Sequence, residues 1–87
     1  NYDEAYLQRG VSNLSLENFK QSIEDCTKAI ELNPDLGLGP YFVRGAAQHS
    51  LGNHEFAITD YSEALEFESE KISSELNVKN VSSKKPV

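Results

Sequence analysis

The chain has 87 residues and a mass of 9.7 kDa, which suffices for one small domain. Hydrophobic residues make up 38% and charged residues 25%, as in ordinary globular proteins, and no apolar run approaches the roughly 20 residues that span a membrane. Eight basic and fourteen acidic residues give a net charge of −6, which disfavours nucleic acid as a partner, because binding a phosphate backbone requires a basic surface.

Two helices are predicted in the first 33 residues. Apolar residues at helical spacing indicate the first, and they are Tyr6, Leu7, Val11 and Leu14. Asp3 is expected to cap its N-terminus. Asn18 and Gln21 resemble a capping box at the start of the second helix, whose apolar stripe comprises Phe19, Ile23, Cys26, Ala29 and Ile30. Asn33 is expected to end that helix, because a residue before proline is disfavoured in the helical conformation.

Two further helices follow a loop. Pro40 suits the first turn of the third helix, where a missing N–H costs nothing. Gly52 is expected to adopt a positive φ in the next turn. The apolar stripe of the fourth helix comprises Phe56, Ala57, Ile58, Tyr61, Ala64 and Leu65. No segment alternates with period two, so the predicted fold is all-α.

The chain repeats itself after 35 residues. Aligning it with itself at that shift gives ten identities over the 29 positions from 6 to 34, where chance would give about two. Gly10 and Gly45 are one aligned pair, and each costs about 0.5–1 kcal/mol in a helix interior. We expect a neighbouring helix to approach closely there and to present Ala29 and Ala64. A flexible hinge is the alternative, which the presence of both glycines disfavours.

The repeated pattern resembles the tetratricopeptide repeat, whose signature is W-x₂-L-G-x₂-Y, then A-x₃-F, then P. The matching residues are Tyr6, Arg9, Gly10, Ala29 and Pro34 in the first copy and Tyr41, Arg44, Gly45, Ala57, Tyr61 and Ala64 in the second. The resemblance implies two repeats, at about residues 3–36 and 38–71. It also implies antiparallel helix-turn-helix units stacked as a short right-handed α-solenoid.

The resemblance further implies a concave groove, lined by the first helix of each repeat, that binds a peptide or helix of a partner protein. The matching groove positions are Leu7, Val11, Leu14, Phe42, Ala46 and His49. The alternative is that some of them pack against neighbouring helices. Some family members bind the C-terminal carboxylate of heat-shock chaperones with lysine and asparagine. The matching positions here hold Leu7, Val11 and Val43, which cannot donate, so that mode is not predicted. Arg9 and Arg44 are expected in ion pairs or inter-helix packing.

The second copy lacks its terminating proline, since Ser69 stands in that place. The helix that begins near His54 is therefore expected to continue through Leu76. An aligned apolar face would comprise Ile58, Tyr61, Leu65, Ile72 and Leu76. Solenoids usually need about three repeats, so the extended helix, a second copy or further repeats should cover the open end. Self-association through residues 67–78 follows as an alternative function.

Catalytic chemistry is not indicated, and no cofactor or metal is predicted. His49 and His54 are separated by a turn, which is a poor arrangement for one metal ion. Cys26 is expected to be a buried small hydrophobic residue. Glu24, Asp25 and the acidic residues from Glu63 to Glu70 are expected to be solvated rather than paired for catalysis.

The sequence therefore predicts a non-enzymatic protein–protein interaction module. Residues 1–79 would form a single helical repeat domain, and residues 80–87 a flexible basic tail. Residues 1–70 carry a net charge of −9, which favours basic or neutral partners. No membrane partner is predicted, because no apolar run is long enough to span a membrane. The alternatives are a homo-oligomerisation element that uses the extended helix and an accessory domain of a larger enzyme. Asn1 in place of methionine suggests a fragment, and the single cysteine fits a reducing compartment such as the cytoplasm.

Overall fold

The computed structural model describes the backbone of residues 1–80 and the side chains as far as Leu76. Within that range the chain forms α1 (Tyr2–Ser15), α2 (Phe19–Leu32), α3 (Gly39–Ser50) and α4 (His54–Asn80), and no strand. The predicted all-α fold with an extended C-terminal helix is confirmed, because α4 has 27 residues against 14 for α2. Asn80, the first residue of the predicted tail, ends α4, and residues 81–87 of that tail lie outside the described range. None of the described helices combines the length and apolarity that a membrane crossing needs.

Consecutive helices pack against each other as two stacked hairpins. Helix α1 packs on α2 and α3 packs on α4, while α2 lies against α3 and α1 touches α3. The buried hydrophobic residues are small, which allows the helices to approach closely, and they are Cys26, Ala29, Val43, Ala47, Ala57 and Ala64. Pro40 lies in the first turn of α3, as expected, and is fully buried.

One short turn joins the two helices of each hairpin, and each of these two turns contains a residue with positive φ. Gly52 has a φ of +84°, which confirms its predicted conformation. Glu17 stands 35 residues earlier, at the equivalent place, and has a φ of 64°. A side chain with a Cβ is disfavoured in this left-handed region, so the first hairpin uses a strained residue where the second uses glycine.

The mid-helix glycines lie where helices cross, and no larger residue fits there without a shift. A Cβ on Gly10 would be 2.9 Å from Sγ of Cys26, and a Cβ on Gly45 would be 2.8 Å from the ring of Tyr61. The expected close approach is confirmed, but the residues that face the glycines are not Ala29 and Ala64. Both crossings lie one helical turn closer to the start of α2 and α4, where Cys26 and Tyr61 face the glycines. At the first crossing the backbone oxygen of Gly10 also accepts a hydrogen bond from the Ser22 hydroxyl at 2.8 Å.

The predicted side-chain caps do not form, although Asn18 does occupy the N-cap position of α2. Helix α1 begins at Tyr2, so Asp3 lies within its first turn, and a carboxylate oxygen of Asp3 accepts a hydrogen bond from Nδ2 of Asn33 at 2.9 Å. The capping box does not form, because Asn18 donates to Asn13 and Gln21 donates to Asp25 instead. The other carboxylate oxygen of Asp3 accepts a hydrogen bond from the backbone N–H of Glu4 at 2.9 Å. Gln21 donates to the Asp25 carboxylate, which is a stronger acceptor than a backbone group.

Candidate functional site

The predicted groove lies on α1 and α3, which contact each other directly. Gly39 makes that contact possible, because a Cβ at this position would be 3.1 Å from Cδ2 of Leu7. Leu7 is half-buried as a result, and Leu14 and Ala46 are half-buried as well. Leu7 thus serves partly as packing between the two repeats, in agreement with the alternative that some groove positions pack against neighbouring helices.

Larger apolar surface remains at two of the predicted groove positions. Val11 is 43% exposed and Phe42 is 54% exposed. The Phe42 ring lies 5.7 Å from the Tyr61 ring between centroids, so the packed hairpin holds it in place without covering it. His49 is exposed at the end of α3, and its ring lies edge-on to that of His54 at 5.3 Å. The first helices therefore present an open apolar surface rather than an enclosed pocket.

Each repeat contains a cluster that we call the Tyr-Arg-Asp unit, formed by Tyr6, Arg9 and Asp25 in the first repeat and by Tyr41, Arg44 and Asp60 in the second. Each guanidinium binds its aspartate through two hydrogen bonds, of 3.0 and 2.8 Å in both repeats. Each also lies 5.7 Å from the centroid of its tyrosine ring. Arg9 and Arg44 are ion-pair residues, as expected.

The aspartates of these units are buried, which contradicts the expectation that Asp25 is solvated. Asp25 is 1% exposed and Asp60 is 4% exposed. Burial of a carboxylate requires strong partners, and the paired guanidinium supplies them. The sequence does contain a signal for this pairing, because both copies have an arginine followed 16 residues later by an aspartate. A single aspartate, considered without the repeat, gives no such signal.

The first aspartate has more support than the second. Asn13 and Gln21 donate to the Asp25 carboxylate at 2.9 and 3.2 Å, in addition to Arg9. The hydrogen bonds from Arg9, and then those from Asn13 and Gln21, hold the pKa of Asp25 below its usual value of 3.8 against the opposing effect of burial. Its charged form is therefore favoured in the folded protein.

The second unit connects the two repeats. Nη1 of Arg44 donates to the hydroxyl of Thr27 on α2 at 3.1 Å, while Nε and Nη2 bind Asp60 on α4. The hydrogen bonds to Asp60 also raise the pKa of Arg44 above its ordinary value. Arg44 thus joins three helices, and a cleft of about 290 Å³ opens beside it, between Ile23 and Phe56.

Reactive groups are sparse in the part of the chain that the structure describes. Burial raises the pKa of the Cys26 thiol to about 11, so it stays protonated near neutral pH, as expected of a small packing residue. No cluster of three or more histidine, cysteine, aspartate or glutamate side chains with metal-binding geometry occurs within the described range. The described residues therefore present apolar surfaces on α1 and α3 that another protein segment can contact.

Comparison with known proteins places these features in context. The family model described as tetratricopeptide repeat matches residues 3–36. Hsc70-interacting proteins 1 and 2 of Drosophila melanogaster are each 40% identical over 67 residues, which is 75% of this chain and 18% of each of those proteins. A DnaJ homolog subfamily C member 7 homolog of Dictyostelium discoideum is 30% identical over 74 residues, covering 85% of this chain and 14% of that protein. No solved structure gives a significant match.

Stacked helical hairpins with glycine crossings define a helical-repeat protein of the kind that presents surfaces to other proteins. Together with the family match, they show that residues 3–36 form a tetratricopeptide repeat, and α3 and α4 repeat its architecture. The chain spans less than one fifth of the length of each of the Drosophila and Dictyostelium relatives that it matches.

Proposed function

We propose that the chain is a protein–protein interaction module that binds an apolar segment of a partner, as a peptide or a helix, along the first helices of its two repeats. The observation that carries this proposal is the exposure of Val11 at 43% and of Phe42 at 54% on α1 and α3. Exposed large apolar residues on neighbouring helices are the anchors that a partner segment can cover.

The chemistry of this surface favours hydrophobic anchoring over recognition of a charged chain end. Leu7 and Val11 carry no hydrogen-bond donor, and Val43 is only 8% exposed. The Arg9 and Arg44 guanidinium groups are engaged with buried aspartates. The net charge of residues 1–70 adds a preference for basic or neutral segments.

The names of two relatives suggest the first partner to test. Both Drosophila proteins are called Hsc70-interacting proteins, and 75% of this chain aligns with each of them. We infer that Hsc70 is a candidate partner of this chain. A library of apolar peptides provides the broader test if Hsc70 does not bind.

Replacing Phe42 with serine should weaken partner binding by about tenfold or more, because about 1.5–3 kcal/mol of apolar burial is lost when such an anchor is removed. Phe56→Ser is the matched control, since Phe56 is 65% exposed but lies on α4, outside the proposed groove. Affinity is measured by calorimetry with purified Hsc70 and with library peptides. Helicity is measured by circular dichroism.

Three outcomes of this comparison are informative. A loss confined to Phe42→Ser, with helicity unchanged in both variants, supports the groove. Equal losses of affinity in both variants contradict it. A loss of helicity in Phe42→Ser alone would instead make Phe42 a structural residue, because its ring packs against Tyr61.

A second candidate function is homo-oligomerisation through residues 67–78. The exposure of Ile72 at 45% and of Leu76 at 49% on the extension of α4 favours it. The test compares the solution mass of residues 1–87 with that of a chain ending at Ser69 over a tenfold range of concentration. A dimer that becomes monomeric on truncation would favour this candidate, and monomers in both cases would exclude it.

A further inference from the structure

The exposed side of α4 carries an apolar seam with a regular spacing. Its members alternate in steps of four and three residues, and they are Ile58, Ser62, Leu65, Ser69, Ile72 and Leu76. This period of 3.5 residues keeps all six on one stripe of the helix. The stripe is separate from the side that packs on the body, where Ala57, Asp60 and Ala64 are buried. The four large residues of the seam are between 45% and 68% exposed.

The first repeat shows what the equivalent surface does when it is covered. Ile23 and Ile30 stand 35 residues before Ile58 and Leu65, and both are half-buried on α2, the helix against which α3 packs. Ile23 lies beside Arg44 and Gln48 of α3. Their counterparts on α4 are 63% and 68% exposed. The same apolar pattern is therefore a helix-docking surface in one repeat and an open surface in the other.

The helix that covers α2 has a distinct composition. Helix α3 contains no acidic residue, buries Val43 and Ala47, and places Arg44 against the hydroxyl of Thr27. Ser62 stands at the position equivalent to Thr27, within the seam, and is exposed. The apolar stripe of α2 is thus covered by a helix that has small or apolar contact residues and a basic residue at its edge.

Charge on α4 strengthens that preference. Glu55 and Glu66 lie along one edge of the seam, and Glu68 and Glu75 lie along the other, at about 60–100° from it on the helix. All four are exposed. Both edges of the seam are therefore negative, which is complementary to a helix with lysine or arginine at both edges of its apolar stripe.

The same charges disfavour a second copy of the chain, the alternative given above for residues 67–78, as the occupant of this seam. Two copies paired through this seam would bring glutamates together at both edges, in a parallel or an antiparallel arrangement, and like charges in such positions destabilise helix pairs. The chain itself does not turn back after Phe67, the position equivalent to the end of α2. Instead α4 continues for 13 more residues, to Asn80, and carries the backbone about 20 Å onward.

We propose that this seam docks a basic amphipathic helix of another protein, with large apolar residues at heptad spacing and cationic residues on both flanks. The seam is distinct from the groove on α1 and α3, and the proposal does not depend on what the groove binds. Binding through it buries the apolar residues of α4 and pairs Glu55, Glu66, Glu68 and Glu75 with cations, so its affinity falls as salt rises.

The test uses the complete 87-residue chain and two synthetic helical peptides of three heptads each. One peptide carries leucine at positions a and d with lysine at e and g, and the other is identical except for glutamate in place of lysine. Affinity is measured by fluorescence anisotropy at about 0.05 M and about 0.5 M NaCl. We expect the lysine peptide to bind, more weakly at the higher salt, and the glutamate peptide not to bind.

Four variants locate the contact. Leu65→Gln should weaken binding of the lysine peptide by about tenfold, whereas the matched control Leu16→Gln should not change it, because Leu16 is 70% exposed on the turn after α1. The pair Glu66→Gln with Glu68→Gln should weaken binding severalfold and reduce its dependence on salt. Phe42→Ser should leave it unchanged.

Several results would overturn the proposal. Equal binding of both peptides would show that charge does not contribute to recognition. Unchanged binding of the lysine peptide by Leu65→Gln would show that the peptide does not bind at the seam. Loss of binding in Phe42→Ser alone would place the peptide in the groove. A dimer of the free chain that Leu65→Gln dissociates, seen by sedimentation equilibrium, would show that a second copy occupies the seam.

Discussion

In the first repeat, three side chains donate hydrogen bonds to the buried carboxylate of Asp25, whereas in the second repeat Arg44 is the one side chain, within the described range, that donates to Asp60. The difference arises from two substitutions between the copies. Gln48 replaces the donor Asn13, and it keeps the hydrogen bond accepted from Asn53, which matches the one that Asn13 accepts from Asn18. Phe56 replaces the donor Gln21. A repeated motif can thus keep its central ion pair while its supporting partners change.

The two repeats also differ in what lies against them. The apolar stripe of α2 is covered by α3, while the corresponding stripe of α4 is open. The arginine of the second unit bridges to Thr27, so it contributes to packing between repeats as well as within one. Identical local chemistry therefore contributes differently to stability, depending on the neighbouring helix.

The largest expected effect comes from filling the helix crossing of the second repeat. Gly45→Leu should destabilise the protein by about 3 kcal/mol or more, because even a Cβ there would lie 2.8 Å from the Tyr61 ring and 3.2 Å from Cβ of Asp60. Chemical unfolding measures the loss, and Gln8→Leu at an exposed position of α1 serves as the control. An unfolding midpoint equal to that of the control would mean that the crossing can open without cost.

Removal of each arginine compares the two ion pairs directly. Arg44→Met should cost roughly 3 kcal/mol, because it leaves a buried aspartate without its partner and removes the bond to Thr27. Arg9→Met should cost less, because Asn13 and Gln21 continue to donate to Asp25. Urea unfolding of both variants at neutral pH gives the two values. Equal losses would show that the additional amide donors contribute nothing.

Acid should weaken the first repeat through Asp25. The pKa of Asp25 is lowered on folding, so its contribution is fully present above the unfolded value of 3.8 and is lost as the pH falls through the lower, folded value. The free energy of unfolding should therefore decline in this acidic window. The difference between the wild type and Asp25→Asn should shrink over the same range. A difference that stays constant from neutral pH to about pH 2 would contradict this account.

The smallest expected effect concerns the turns. Glu17→Gly should stabilise the protein by up to about 1 kcal/mol, because glycine adopts the positive φ of 64° without the strain of a side chain. Gly52→Glu, the reverse change in the second repeat, should destabilise it by a similar amount, since Gly52 has a φ of +84°. Thermal unfolding of both variants tests the pair. Destabilisation by Glu17→Gly would indicate that the Glu17 side chain makes a contribution larger than the strain.

Much of the fold could be predicted from the sequence, because the signals that set it are local or repeated. Helical spacing of apolar residues, Pro34, Gly52 and the 35-residue repeat indicated the helices and their pairing. The missing proline at Ser69 indicated that α4 would continue. The caps could not be predicted in the same way, since Asp3 and Gln21 bind partners that only the packed helices bring within reach.

By itself, the sequence determined the helices, the repeat and the close crossings at Gly10 and Gly45, because each depends on the conformational preference or size of a residue and on its spacing. The tertiary structure alone decided which residues face those crossings, and that Asp25 and Asp60 are buried. It also decided which of two equivalent apolar stripes is covered. Burial is a property of the neighbours around a side chain, and identical residues in the two repeats have different neighbours.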